Sequence, residues 1–464
     1  MNDKKLIDET KIIKAMNDLD PCRFFRITAK KILVAAVAAV LVIVLCTINL
    51  FQKAPDLGIT AIAAPVYPKE ISFYDYEGKI DAREEISTVF LGNLKDFTFR
   101  ASTAVLSNTD RTENQLFSPI SLYMAMALTA ASGEGNTRRE IVEALSMSNM
   151  DMASIDEQTG RLFRELYFKN EIGNLLLANS LWIDQSIDYK KEFLNNAAKN
   201  YYAHSFQVNF KDNNTQKQIN QWIQETTGGI LGNNNFKNIS PEQVMALINT
   251  VFFQDEWVDR FDDKKTEEDV FYIADGSTVT ADYMNAHFDS KSFVRGEGYT
   301  VSSLDFKNEL DMVFILPDEG ISPYEIVEDP VRLSEVLSAL YSDDVSFGEV
   351  IFKIPKFSFY TNLKLNGALK QLGIKKAFDI DQADFSTLSD IKPLYISSVV
   401  QNTYISIDEK GCTAAAYTSI DYSGSALPKD KADMILNRPF LFAITGIDGS
   451  PLFVGIVNNP ADIQ

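Results

Sequence analysis

The sequence predicts one large mixed α+β domain over residues 86–464, set behind a charged tail, an apolar run and a proline-containing linker. Three observations carry this. Helix-period and strand-like runs alternate without a fixed repeat from about residue 86 onward, which disfavours a solenoid or a propeller. Hydrophobic residues make up 45% of the 464-residue chain and charged residues 23%, a balance able to build a large core. A long segment of small and polar residues over 408–440 interrupts the pattern and exceeds an ordinary connection.

The N-terminal elements set the expected location. Residues 32–51, ILVAAVAAVLVIVLCTINLF, hold only Thr47 and Asn49 among otherwise apolar positions, enough at about 1.5 Å per residue to span a hydrocarbon core. Arg23, Arg26, Lys30 and Lys31 precede the run, and Lys53 and Asp56 follow it. The positive-inside rule therefore expects a cytoplasmic tail over 1–31, a transmembrane anchor over 32–51, an extracellular linker over 52–85 and an extracellular domain. A cleaved signal peptide is the competing reading; the long tail and the absence of a small-x-small site argue against it. Cys46 follows Leu45 where a lipid-anchored cysteine would follow a small residue. Pro55, Pro65 and Pro68 without hydrophobic periodicity read as a stalk.

Within the domain, Val89, Leu94, Phe97, Val105 and Leu106 fall near helical spacing. Residues 119–131 read as a buried helix, with Ser118 as cap and Pro119 at its first position. Further helical patterns lie at 138–146, 156–168, 189–203, 215–226, 332–341 and 362–372. Strand-like runs lie at 174–183, 245–254, 299–306, 311–317, 346–360, 395–407, 439–446 and 451–457.

Several activities are excluded or weakly signalled. With 44 Lys plus Arg against 64 Asp plus Glu, the net charge of −20 leaves no basic face for a phosphate backbone, so no nucleic-acid partner is expected. Cys412 is the one cysteine beyond residue 46, so no disulfide staples the domain. His204 and His287 each stand apart from other ligand-type residues, and no metal or cofactor is expected. The Ser-x-x-Lys at 389–392 lacks its companion motifs, and YSGSA at 422–426 lacks a strand-to-helix turn. DIDQAD at 379–384 starts like a calcium loop but lacks the central Gly and the closing Glu. No catalytic constellation is present, and the chain is not expected to be an enzyme.

The segment EKGCTAAA at 409–416 resembles the hinge of a serpin reactive-centre loop. The resemblance extends in order through NQLFSPIS at 114–121 and SGEGNT at 132–137, with Ser132 where Gly is usual. It continues through INQWI at 219–223, NTVFF at 249–253 with Trp257 and Phe261, and FILP at 314–317. KIPKFS at 353–358, LGI at 372–374, RPFLF at 438–442 and PLFVGIVNNP at 451–460 complete it. It implies a serpin fold of three β-sheets, eight or nine helices and an exposed reactive loop. It also implies a suicide inhibitor of serine proteases, whose cleaved loop enters a sheet as a new strand while the protease stays attached as an acyl complex. A non-inhibitory, serpin-like binding protein is the alternative.

The hinge residues suit insertion. Glu409 and Lys410 lead to Gly411, which has no Cβ to constrain the backbone. Cys412, Ala414, Ala416 and Thr418 share one face and are small and uncharged, while Thr413, Ala415 and Tyr417 share the other. Counting forward from Gly411 as the resemblance directs puts the reactive bond between Ser425 and Ala426, suited to an elastase-like or subtilisin-like protease. Tyr422–Ser423 is the runner-up. The resemblance further implies a sheet-opening region of Ser118, Ser121, Asn249 and Trp257, with Gln401 where a His is usual, and a Lys356–Glu409 pair at the top of the sheet. An exposed Cys412 thiol is open to oxidation. A monomer with a liability to loop-sheet polymerisation is expected, and the anchor with the lack of disulfides suggests a bacterial cell surface.

Overall fold

The computed structural model describes residues 57–229, 243–412, 430–446 and 449–462. Leu57–Gln464 form one compact unit. Its helices are α1 (Tyr76–Ala82), α2 (Thr88–Leu106), α3 (Pro119–Ser132), α4 (Gly135–Ala144), α5 (Met152–Leu166), α6 (Lys191–Asn200), α7 (Asn213–Thr226), α8 (Tyr324–Val327), α9 (Pro330–Leu337) and α10 (Asn366–Gln371).

Among the described residues two sheets carry the strands. The first has nine, in the order β1 (Gln115–Phe117), β16 (Pro451–Val457), β15 (Phe440–Thr445), β9 (Asp311–Pro317), β8 (Tyr299–Asp305), β7 (Thr278–Gly296), β10 (Ser346–Pro355) and β14 (Asp430–Ile435), with β6 (Glu267–Tyr272) also on β7. The second has seven, in the order β11 (Phe357–Lys364), β12 (Val400–Asp408), β13 (Gly411–Cys412), β5 (Met245–Glu256), β3 (Asn174–Asp184) and β2 (Phe168–Lys169), with β4 (Ala203–Val208) also on β3.

Three sheets were expected, and two are continuously hydrogen-bonded. The reason is β7, whose 19 residues reach roughly 60 Å at about 3.3 Å per residue and join what would otherwise be separate sheets. Ten helices among the described residues replace the eight or nine expected.

The buried helix α3 follows from its sequence. Ser118 caps it by accepting from Ser121 N–H at 3.3 Å, Pro119 opens it, and all 14 residues are buried. The run expected as one strand over 346–360 is two strands in different sheets. Pro355 ends β10 because it has no N–H to donate, and Lys356 N–H turns to Asp282 O at 2.8 Å before Phe357 starts β11. A second core, Trp182, Phe206, Trp222, Ile219 and Ile248, lies between α7 and the second sheet, and Leu57 belongs to it. Where the sequence reads a stalk, Leu57–Ser87 runs along the domain as a strap: Ile62 N–H donates to Ser205 O at 2.8 Å, and Ser87 N–H donates to Gln158 Oε1 at 2.7 Å.

The single-pass membrane location is corrected by this structure. Among the described residues no helix is long and apolar enough to cross a membrane. The longest of them, α2, has 19 residues but carries Lys95, Asp96 and Arg100. The run 32–51, on which the expected anchor and cell-surface placement rested, lies outside the described residues.

Candidate functional site

The second sheet has a slot between β12 and β5. These strands pair in parallel only at Gln401↔Asn249 and Asn402↔Thr250. Toward the end of both strands β13 lies between them, with Cys412 opposite Ile407 and Asp255, and Gly411 opposite Asp408 and Glu256. Among the described residues, Thr403–Ser406 and Val251–Gln254 have no strand pairing to each other. One further strand entering antiparallel beyond Cys412 would meet unused backbone donors and acceptors on both sides.

Gly411 sets the direction of entry. Its φ of 144° lies in the region that side chains avoid, and a Cβ there would overlap Asp255 O and stand 2.8 Å from Glu256 Cα. The preceding carbonyls are held by the end of β5 and the turn beyond it. Trp257 N–H donates to Lys410 O, Phe261 N–H to Glu409 O and Trp257 Nε1–H to Asp408 O, each at 3.0 Å. Cys412 is buried, 2% exposed and part of the main core, with its thiol donating to Phe253 O at 3.5 Å. The thiol is not the exposed group expected from sequence. Thr413, Ala414, Ala415, Ala416, Tyr417 and Thr418, and the bond residues Tyr422, Ser423, Ser425 and Ala426, lie outside the described residues.

At the mouth, Lys356 Nζ lies 3.1 Å from Glu409 Oε2, and Thr266 Oγ1 donates to Glu409 Oε1 at 2.8 Å. Burial would raise the Glu409 carboxyl, but its own N–H, Thr266 and Lys356 outweigh that and hold it below the usual range.

Sequence reasoning passes over the acidic pair beside it. Glu256 is bound by Arg260 at 2.6 Å and Lys307 at 2.7 Å. Asp255 accepts from Asn308 N–H at 3.0 Å, Asn308 Nδ2 at 2.9 Å and Glu256 N–H at 2.8 Å. Burial pushes Asp255 up to about 6, with the Glu256 charge adding to it and those hydrogen bonds opposing it. The available signal is two consecutive acids, QDEW at 254–257, ending an otherwise apolar strand.

A raised carboxyl pKa favours the folded chain below the ordinary value of 3.8, and that contribution is lost as pH rises through about 6. Asp255→Asn should therefore raise the thermal midpoint at pH 8 by an amount that disappears at pH 4. Thermal unfolding of both proteins at the two pH values checks this.

Beneath the slot, Gln401 clamps the start of α3: its Oε1 accepts from Ser118 N–H at 2.8 Å and its Nε2 donates to Ser118 O at 2.9 Å. Ser118 Oγ donates to Leu452 O at 2.8 Å, tying the helix to β16. Asn249, opposite Gln401 in register, donates to Asn179 Oδ1 at 2.7 Å, and Asn179 donates to Tyr201 O at 2.7 Å. Ser121 Oγ and Asn249 Oδ1 are buried without a hydrogen-bond partner among the described residues, and both residues line one small void with Gln401.

The other motifs found from sequence are structural here. Ser389 Oγ donates to Asp188 O at 2.5 Å and Lys392 lies 3.7 Å from Asp384, so they form no Ser–Lys dyad. Asp379 Oδ1 accepts from Asp381 N–H at 2.9 Å within its own turn. No group of three or more metal-ligand side chains occurs among the described residues.

Comparisons with known proteins agree with this arrangement. The family model described as "Serpin (serine protease inhibitor)" matches residues 92–460. The chain is 31% identical over 366 residues to alpha-1-antiproteinase S of Cavia porcellus, covering 77% of this chain and 87% of that one. It is 32% identical over 376 residues to alpha-1-antiproteinase 2 of Equus caballus, covering 79% and 86%. Among solved structures, the thermophilic serpin tengpin in its native state superposes with a TM-score of 0.73 at 31% identity, covering 85% of this chain and 97% of that one. Thyroxine-binding globulin in complex with thyroxine gives 0.69 at 26% identity, covering 80% and 100%. From its slotted sheet and its glycine hinge to its matched length, the chain belongs to the serpin family.

Proposed function

We propose that residues 86–464 form an inhibitor of serine proteases that acts once per molecule, by inserting its cleaved reactive loop between β12 and β5. The observation that carries this reading is the Gly411–Cys412 strand already paired at the mouth of the slot with Cys412 buried. By strand alternation, Ala414, Ala416 and Thr418 follow Cys412 onto the inward face, and all three are small and uncharged.

The reactive bond is Ser425–Ala426, with Tyr422–Ser423 as the second choice, and the small residues suit an elastase-like or subtilisin-like target. Insertion from Cys412 to Ser425 adds a strand of roughly 45 Å at about 3.3 Å per residue. With about 1 kcal/mol net per added hydrogen bond, the inserted form lies on the order of 10 kcal/mol below the starting one. The starting form is held by a kinetic barrier. The protease serine attacks the Ser425 carbonyl, the peptide beginning at Ala426 leaves with the proton, and insertion carries the ester-linked protease away before water can resolve it.

Incubation with an elastase-like and a subtilisin-like protease, read by intact mass, tests this. A denaturant-resistant adduct ending at Ser425, with release of the Ala426 peptide, is expected. Cleavage without an adduct overturns it and favours a binding role of the kind that the thyroxine complex of a related fold illustrates.

The Lys356–Glu409 pair restrains the slot in this reading. Lys356→Met leaves the partly buried Glu409 carboxylate with only neutral partners. A pair of this exposure contributes about 1 kcal/mol, so self-association of the warmed variant should run several-fold faster by size-exclusion chromatography.

A further inference from the structure

Three buried polar atoms without a hydrogen-bond partner among the described residues lie along one seam: Tyr67 Oη, His204 Nδ1 and Trp222 Nε1. The seam is where the N-terminal strap lies along β4. Ile62 N–H donates to Ser205 O and Ser205 N–H donates to Ala63 O, both at 2.8 Å, so the strap adds a short antiparallel rung beside His204. Tyr67 then enters an aromatic socket, its ring centre 6.0 Å from Phe163, 5.3 Å from Tyr167, 6.0 Å from Tyr202 and 5.9 Å from His204. On the other side His204 stacks on Phe206 at 5.9 Å and meets the edge of Trp222 of α7 at 6.3 Å.

The socket surrounds His204 with aromatic rings, whose attraction for a cation is small beside the cost of burying the charge. The titratable side chains of the socket are Tyr67 from the strap, which meets His204, and Tyr167 just past α5 and Tyr202 just before β4, which both pack on Tyr67; Ser180 pairs with His204 from β3, and Trp222 meets it from α7. Arg164 of α5, which reaches the socket by donating to Tyr202 Oη at 3.3 Å, is itself cationic and is held by Glu84 Oε1 at 2.5 Å. No carboxylate is paired with His204 among the described residues. A proton taken up in the closed socket would therefore be a buried, unpaired charge.

We propose that the strap is an acid-released latch triggered by His204, whose imidazole takes up a proton once Leu57–Pro68 leaves β4, so that acidification favours the released strap. The unpaired hydroxyl of Tyr67 also gains water on release, so the latch is held by ring packing and the backbone rung to Ser205 rather than by side-chain polar bonds. Farther along, Lys169–Glu70 at 2.8 Å and Phe73 N–H to Glu171 Oε2 at 2.9 Å hold the strap independently, which confines release to its first part. Release uncovers the β4 edge, a surface open to strand addition.

Burial holds His204 at about 4 against an ordinary 6.5. For a histidine depressed in the closed form, the docking preference is complete above 6.5 and is lost as pH falls from 6.5 toward 4. At pH 5.5 the released form gains about tenfold relative to neutral pH.

The test uses the full chain. Amide hydrogen exchange at Ile62 and Ser205, corrected for the intrinsic pH dependence, should show about tenfold less protection at pH 5.5 than at pH 7.5, and His204→Phe should remove the difference. The chain has two histidines, so an imidazole NMR titration reads His204 directly even if that variant does not fold. The His204 signal should titrate well below 6.5 in the native chain and move toward 6.5 in Tyr67→Ala. Equal protection at both pH values, or a His204 titrating near 6.5 while the strap stays protected, overturns the latch.

Discussion

Ala414→Arg is expected to turn the proposed inhibitor, which would end as a covalent adduct, into a substrate that is cut and released. The direction follows from Cys412, whose side chain is inside the core; in an inserted strand position 414, two residues on, would face the same way. Inserting Arg there places an unpaired guanidinium beneath the sheet, at a cost of several kcal/mol. Since each 1.4 kcal/mol in a barrier is about tenfold in rate, insertion falls behind hydrolysis of the acyl bond. The number of inhibitor molecules consumed per protease should rise by about tenfold or more. Thr413→Arg, on the outward face, is the control and should leave that number unchanged. Titration of protease activity against each variant, with intact mass to separate adduct from cleaved chain, gives the comparison.

Gln401→Leu should destabilise the native form by about 1–3 kcal/mol, the cost of leaving the buried Ser118 N–H unpaired, since the Ser118 carbonyl keeps its bond from Leu122 N–H at 3.2 Å. Gln401 is 3% exposed, and its two bonds satisfy both the N–H and the carbonyl of Ser118. A leucine of similar volume fills the space and serves neither group. Because those bonds also tie β12 to α3 beneath the place where β12 and β5 still touch, their loss should open the slot spontaneously. Urea unfolding should show the lower midpoint, and size-exclusion chromatography should show self-association of the variant on warming.

Elements with a strong local pattern are readable in advance. The buried helix α3 follows from its cap, its proline and an unbroken run of helix formers. The strands β15 and β16, observed at Phe440–Thr445 and Pro451–Val457, fall within one residue of their expected ends. By contrast, β6 and much of β7 escape sequence reasoning because they are open to solvent and carry polar residues where an apolar run would mark a strand; β6 buries only Phe271. Strand β4 is hidden behind α6, since no proline or glycine separates them. The strap has no period at all: it docks through single residues such as Leu57 and Tyr67 and through backbone bonds, which leave no trace in a hydrophobic pattern.

The site is legible in a different way. Gln401 and Ser118 are 283 residues apart, and Lys356 and Glu409 are 53 apart. No spacing rule reaches across such distances, so these residues could be singled out only through the family resemblance. The burial of Cys412 is not legible because a hinge reads as lying fully outside the sheet, whereas its residues Gly411–Cys412 are already a strand. The Asp255–Glu256 cluster is silent in the sequence because its partners Arg260, Lys307 and Asn308 come together only when the chain folds back over the end of β5.

The most direct test of insertion compares the chain before and after a single cut within 413–429. Hydrogen exchange at Val251–Gln254 and Thr403–Ser406, with guanidinium unfolding of both forms, reads the slot itself. If the loop enters, the alternate amides of these stretches that face the slot rather than β3 or β11 become strongly protected on cleavage, and the cut chain resists unfolding by on the order of 10 kcal/mol more than the intact one. If cleavage leaves both the exchange and the unfolding midpoint unchanged, the slot does not accept the loop and the inhibitory mechanism is wrong.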